Sequence, residues 1–157
     1  MKNDKTDNHE QIFWEEIDRL FPDMIKVIAS LSKKSYLSIT NLRTGITWWS
    51  ERAMDYFGMK ENYTIRGMEK ANRKIHPDDV ATFKRGFKER VDGKNLDTAW
   101  EYRIQDGDSY NRFNAMARVL YDEQKQPFII IIRYDNYGIS DEVDSVTGLY
   151  TEPALNR

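Results

Sequence analysis

A chain of 157 residues is long enough for one domain with a real core and some extensions. Its hydrophobic content of 39%, with 13% aromatic, fits a core built on large rings, and a formal charge of -2 gives no bulk attraction to nucleic acid or anionic membrane. Cysteine is absent, which excludes disulfides, thiolate zinc sites, cysteine nucleophiles and photochemical thiol adducts, and fits a cytoplasmic location.

No apolar run approaches the roughly 18 residues that a membrane-spanning helix needs, so no membrane contact is expected. Residues 1–10 are polar and aperiodic and read as a disordered terminus. They have no apolar stretch behind them of the kind a signal peptide carries. From 11 to 32, Phe13, Ile17, Leu20, Met24, Val27 and Leu31 recur at alternating steps of four and three, the seam of an amphipathic helix. Pro22 either starts a second helical segment or kinks one longer helix. This stripe fits best a helix lying across the domain's own sheet; the alternative is a helix pairing with its copy in a homodimer, and both hold if helix and sheet face form one dimer interface.

Tyr36–Thr40 and Ile46–Trp49 read as a hairpin of two strands closed by Gly45. Ser50 then caps a short helix that points Met54 and Phe57 inward and ends at Gly58. The stretch 63–74 reads as a further short helix with irregular ends. Ile75-His76-Pro77-Asp78-Asp79 is a helix start, with proline in the first turn and the aspartates at the positive end of the helix dipole. The adjacent carboxylates diverge around the helix, so capping is expected of them rather than acid–base work. His76, outside the helix, is expected to hydrogen-bond at its start rather than hold a metal. Val80, Phe83, Phe87 and Val91 form the inward stripe, and Gly93 ends the helix.

Two alternating strands follow. The first, 98–105, puts Trp100, Tyr102 and Ile104 on one face; the second, 111–121, puts Phe113, Ala115, Ala117, Val119 and Tyr121 on one face. Asp106-Gly107 turns between them. Phe128 to Asp135 contains four successive isoleucines, which are stiff and β-branched and favour an extended backbone. Successive side chains of a strand point to opposite faces, so an unbroken apolar run implies cover on both. This run is expected to be the central strand, closed by Asp135-Asn136. One face should meet the domain's helices and the other an additional element or a second copy. The expected fold class is α+β, a five-stranded antiparallel sheet with helices on one face and an added N-terminal helix.

The element order, the Ile75-His76-Pro77-Asp78-Asp79 start and the Glu101-Tyr102-Arg103…Asp106-Gly107 hairpin resemble a PAS domain over about 36–137. Asp144-Ser145-Val146-Thr147-Gly148-Leu149-Tyr150 resembles the opening of a GGDEF diguanylate cyclase domain, with Val146 in place of the usual leucine and Thr151-Glu152 in place of Asn-Arg. The resemblance implies a sensor at 33–138 and, at 139–157, a linker with the start of a truncated GGDEF domain. Such a sensor would regulate the synthesis of cyclic di-GMP by a downstream cyclase.

A ligand pocket of such a domain would lie between sheet and helices, lined by Met54, Phe57, Phe83, Phe87, Trp100, Tyr102 and Phe113. Side chains this bulky leave space for a small cavity or none. The resemblance assigns the signal connector to Asp135, Gly138, Asp144, Thr147, Gly148 and Leu149. No catalytic residue, metal ligand or resident cofactor is expected in this segment, although a non-covalent small ligand is compatible with it. Scattered, acid-matched Lys and Arg beside the aromatic residues argue against a nucleic-acid surface. The rival reading is a stand-alone small-molecule binding protein with no enzymatic output. A reading as an enzyme in its own right lacks a titratable cluster.

Overall fold

The computed structural model describes residues 4–31 and 35–139. The chain divides at residues 33 and 34 into two compact units.

The first unit is one helix, α1 (Asp4–Ser30), which runs without a break through Pro22. It begins earlier than expected, so residues 4–10 extend the helix instead of forming a loose terminus. Phe13 is 55% exposed, Leu20 54%, Val27 57% and Leu31 78%.

The second unit is an antiparallel sheet with helices on one face. Its elements are β1 (Ser35–Asn41), β2 (Ile46–Trp49), α2 (Glu51–Phe57), β3 (Tyr63–Ile65), α3 (Gly67–Asn72), α4 (Val80–Val91), β4 (Trp100–Asp106), β5 (Ser109–Tyr121) and β6 (Pro127–Ile139). A 3-10 turn, Pro77–Asp79, leads into α4. The strand order is β3-β2-β1-β6-β5-β4, which sets the isoleucine strand in the middle, between β1 and β5.

The sheet therefore has six strands, not five. The sixth is β3, in a stretch read as helix: Tyr63, Thr64 and Ile65 are aromatic or β-branched and pair with Trp48, Thr47 and Ile46. Arg66 then turns left-handed at φ 61° and releases the chain into α3. The expected caps hold at α2. The Ser50 side chain accepts from the Ala53 N–H, and Gly58 ends the helix at φ 72°.

Two other boundaries move. β6 does not close at Asp135-Asn136 but continues to Ile139, because a bulge opposite Asn111 and Phe113 carries the pairing past the polar residues. Asn136 takes part through its side chain, donating from Nδ2 to the Tyr36 hydroxyl at 3.4 Å and accepting from the Gly138 N–H at 2.8 Å. Asp79, expected to cap α4, makes no capping bond there. Its carboxylate instead accepts from the Arg103 backbone N–H at 2.8 Å and holds the guanidinium at 2.8 and 2.9 Å.

The alternation of β6 sorts its isoleucines. Ile130 and Ile132 are fully buried under the helices, while Ile129 and Ile131 point to the opposite face and are half-buried. On that opposite face Ile131 pairs with Ile39, which pairs with Trp48, and Ile129 pairs with Leu120. They make a continuous apolar band across four strands.

Candidate functional site

The helix-covered face holds the expected pocket residues, and it divides into two halves. Under α2, Phe57 stands 5.3 Å from Trp49 and 5.8 Å from Tyr134, centroid to centroid. Tyr56 stacks on Tyr36 at 5.4 Å and meets Phe113 at 5.3 Å. Under α4, Phe83 packs edge-on against Tyr102 at 5.0 Å and lies 6.2 Å from Trp100 and 6.1 Å from Phe87. Phe57, Phe83, Trp100, Tyr102 and Phe113 are buried, whereas Met54 and Phe87 are partly exposed at the margin. The seven candidates thus share one core without converging on one cavity: Phe83, Phe87, Trp100 and Tyr102 cluster under α4, and Phe57 and Phe113 belong to the other half.

The polar chemistry of the halves differs. In the first, the Trp49 indole donates to Thr64 Oγ1 at 2.8 Å, and Tyr134 and Ser38 share a hydrogen bond at 3.0 Å. Thr40 and Thr47 share another at 2.8 Å, and Asn111 Nδ2 donates to the Tyr56 hydroxyl at 3.0 Å. In the second, three buried donors have no partner: Arg90 Nε, Trp100 Nε1 and the Tyr102 hydroxyl. A bare buried polar group costs about 1–3 kcal/mol, so each such group calls for a reason.

Burial pushes the Tyr102 phenol well above its ordinary pKa, with Tyr134 nearby adding to the effect and Arg90 opposing it. Burial also raises Tyr134, against the bond from Ser38, and takes Tyr56 up to about 12. All three phenols therefore remain neutral O–H donors near neutral pH.

Arg90 escapes the apolar pattern of the sequence but not its spacing. It lies seven residues after Phe83, on the buried stripe with Gly86. Only 3% of it is exposed. Its guanidinium lies 4.1 Å above the Trp100 ring, donates to the Gly86 carbonyl at 3.3 Å and also bonds the Thr98 carbonyl. The stripe expected from Val80, Phe83, Phe87 and Val91 is thus turned toward Gly86 and Arg90. Gly86 allows this close approach, since a Cβ there would stand 2.9 Å from Trp100 Cδ1. A groove of about 200 Å³ opens beside this contact, lined by Arg85, Gly86, Glu89, Arg90, Thr98 and Trp100, among others.

His76 acts as expected at the start of the 3-10 turn, where Nδ1 accepts from the Asp78 N–H at 3.1 Å. Among the described residues no three His, Asp or Glu side chains gather as a metal group, and no helix is long and apolar enough to cross a membrane. Of the connector residues, Asp135 and Gly138 belong to β6, and Asp144, Thr147, Gly148 and Leu149 lie outside the described residues.

No curated protein matches this sequence. Among solved structures, the chain is similar to a sensory box histidine kinase/response regulator from Burkholderia thailandensis E264, at 16% identity and TM-score 0.55, covering 66% of this chain and 77% of that one. It is similar to the N-terminal domain of a diguanylate cyclase with PAS/PAC sensor from Marinobacter aquaeolei, at 15% identity and TM-score 0.55, covering 67% and 96%. It is also similar to a domain of a putative light and redox sensing histidine kinase from Haloarcula marismortui, at 12% identity and TM-score 0.51, covering 71% and 97%. At these identities the likeness is one of fold. The family model of the PAS fold matches residues 46–132, more than half of the sequence, and the chain belongs to the PAS fold family.

Proposed function

We propose that this PAS domain is a cytoplasmic sensory and dimerisation module that controls a downstream GGDEF diguanylate cyclase domain, and so the synthesis of cyclic di-GMP. The observation that carries the dimer is the seam of α1, whose Phe13, Leu20, Val27 and Leu31 are each more than half exposed. Apolar area of this extent along one helix favours burial against a partner. The half-buried band of Ile39, Trp48 and Ile131, on the sheet face opposite Ile130 and Ile132, offers a second apolar surface to the same homodimer.

Asp144 to Leu149 supports the cyclase output through its likeness to a GGDEF opening, and the Marinobacter neighbour is the N-terminal domain of a diguanylate cyclase with PAS/PAC sensor. Two cyclase domains must meet to join two GTP molecules. A dimer that changes how its two β6 ends leave the sheet can therefore set the rate. Asp135 and Gly138, next to the bulge of β6, would carry that change toward residues 144–149.

Sedimentation equilibrium tests the first step: a concentration-dependent dimer is expected, and a strict monomer at high concentration contradicts it. The coding sequence after Arg157 tests the output, since a GGDEF-type motif supports it and an unrelated domain refutes it. A second reading, a small-molecule binding protein without enzymatic output, is favoured by the bare donors under α4. It predicts ligand uptake with no GGDEF motif downstream.

A further inference from the structure

The bare polar atoms are not scattered. Among the described residues, Arg90 Nε, Trp100 Nε1 and the Tyr102 hydroxyl are the buried side-chain atoms without partners, and all three lie where α4 meets β4. Arg90 Nε and Trp100 Nε1 can only donate, so what they lack is an acceptor, and the Tyr102 hydroxyl lacks a partner of either kind.

The charge points the same way. The Arg90 guanidinium is almost fully buried, and the one carboxylate beside it is Glu89 Oε1, at 3.4 Å. That carboxylate also accepts from Asn95 Nδ2 at 3.1 Å. The other partners of Arg90 are the neutral carbonyls of Gly86 and Thr98. A cation buried with so weak a counter-charge is under-compensated, because desolvation costs several kcal/mol and is offset only by close, well-aligned anionic acceptors. Beside it lies the groove of about 200 Å³, lined by Arg85, Glu89, Arg90, Asn95, Thr98 and Trp100 among others; the rings of Phe83 and Tyr102 back Trp100 from the core and do not line it.

We infer that the α4–β4 interface is a binding site for a small aromatic monocarboxylate. Its carboxylate accepts from Arg90 and Trp100, and its ring rests against the Trp100 wall of the groove. A planar carboxylate matches the fork of a guanidinium, and the Trp100 wall favours a ring over a hydrated ion. The inference rests on the sensory reading and names the chemical class of the signal.

Benzoate serves as the probe, with inorganic phosphate and benzyl alcohol as the anion-only and ring-only controls. The readout is the Trp100 indole N–H resonance of the whole 157-residue chain, assigned by its loss in Trp100→Phe. Benzoate is expected to shift it saturably, and the controls are not. Arg90→Gln should weaken binding roughly tenfold to a hundredfold, the loss of a charged hydrogen bond. Tyr102→Phe, which removes a hydroxyl that lies off the groove, should leave it unchanged. The inference is overturned by an unmoved Trp100 signal in millimolar benzoate, by an equal response to phosphate or benzyl alcohol, or by unchanged benzoate binding in Arg90→Gln. Sedimentation of the same samples separates the two readings: a dimer whose Trp100 signal ignores benzoate refutes the ligand class alone, and a strict monomer that takes up benzoate refutes the dimer alone.

Discussion

The two halves of the core use the same side chains in opposite ways. Trp49 and Tyr134, under α2 and α3, are buried and hydrogen-bonded, to Thr64 and to Ser38. Trp100 and Tyr102, under α4, are buried to a similar degree with their polar atoms bare. A bonded indole or phenol fixes the neighbouring strand and helix in one register. A bare one leaves its interface short of a partner, and so more responsive to whatever supplies one. The first half reads as scaffold and the second as the part able to respond.

The largest effect should come from the scaffold. Phe113 is fully buried and packs against both Tyr36 and Tyr56. Phe113→Ala should cost about 3–5 kcal/mol in urea denaturation, near the whole stability of a small domain. A loss below about 1 kcal/mol would mean that the two halves do not share one packed core.

Gly86→Ala comes next and probes the responsive half. Alanine is the better helix former by about 1 kcal/mol. Its Cβ, however, would stand 2.9 Å from Trp100 Cδ1, and overpacking of this kind costs about 1–3 kcal/mol. Net destabilisation is expected, together with a displaced Trp100 indole resonance. Net stabilisation would show that α4 already stands off from the strand.

Asp79 ties the start of α4 to β4 through Arg103, whose hydrogen bond holds the carboxyl below its ordinary pKa of 3.8. A carboxyl with a lowered folded-state pKa stabilises fully above its unfolded value, and that contribution is lost as the pH falls through the folded value. Asp79→Asn should therefore cost roughly 1 kcal/mol at neutral pH, a central figure for a paired, partly exposed carboxylate. The cost should shrink toward zero in urea titrations well below pH 3.8. A cost independent of pH would remove the ion pair from the account.

These contrasts were unequally legible in the sequence. Strand alternation and the glycine and serine caps are local signals, so β4, β5, α2 and the central place of β6 could be read from residue order. β3 was missed because Tyr63-Thr64-Ile65 is too short for a period to show, and its identity depends on pairing with Ile46 to Trp48. The run of β6 past Asp135 was missed because a bulge lets polar residues remain in the ladder. Of the pocket candidates, Phe57, Phe83, Trp100, Tyr102 and Phe113 are buried and Met54 and Phe87 lie at the margin, and the division into a bonded and a bare half depends on tertiary neighbours. Arg90 carried one usable signal, a charged residue on the stripe of Phe83 and Gly86, where an exposed position would have been off phase.

The most direct test of the account is the paired stability change of Tyr134→Phe and Tyr102→Phe, measured by urea denaturation at pH 7 on the ligand-free chain. Removing the Tyr134 hydroxyl breaks its bond to Ser38, whose own hydroxyl is fully buried, and should cost about 1 kcal/mol. Removing the bare Tyr102 hydroxyl takes away a polar atom that bonds to nothing, and should leave stability unchanged or raise it by up to about 1 kcal/mol. Equal destabilisation by the two substitutions would contradict the division of the core into a satisfied half and an unsatisfied one.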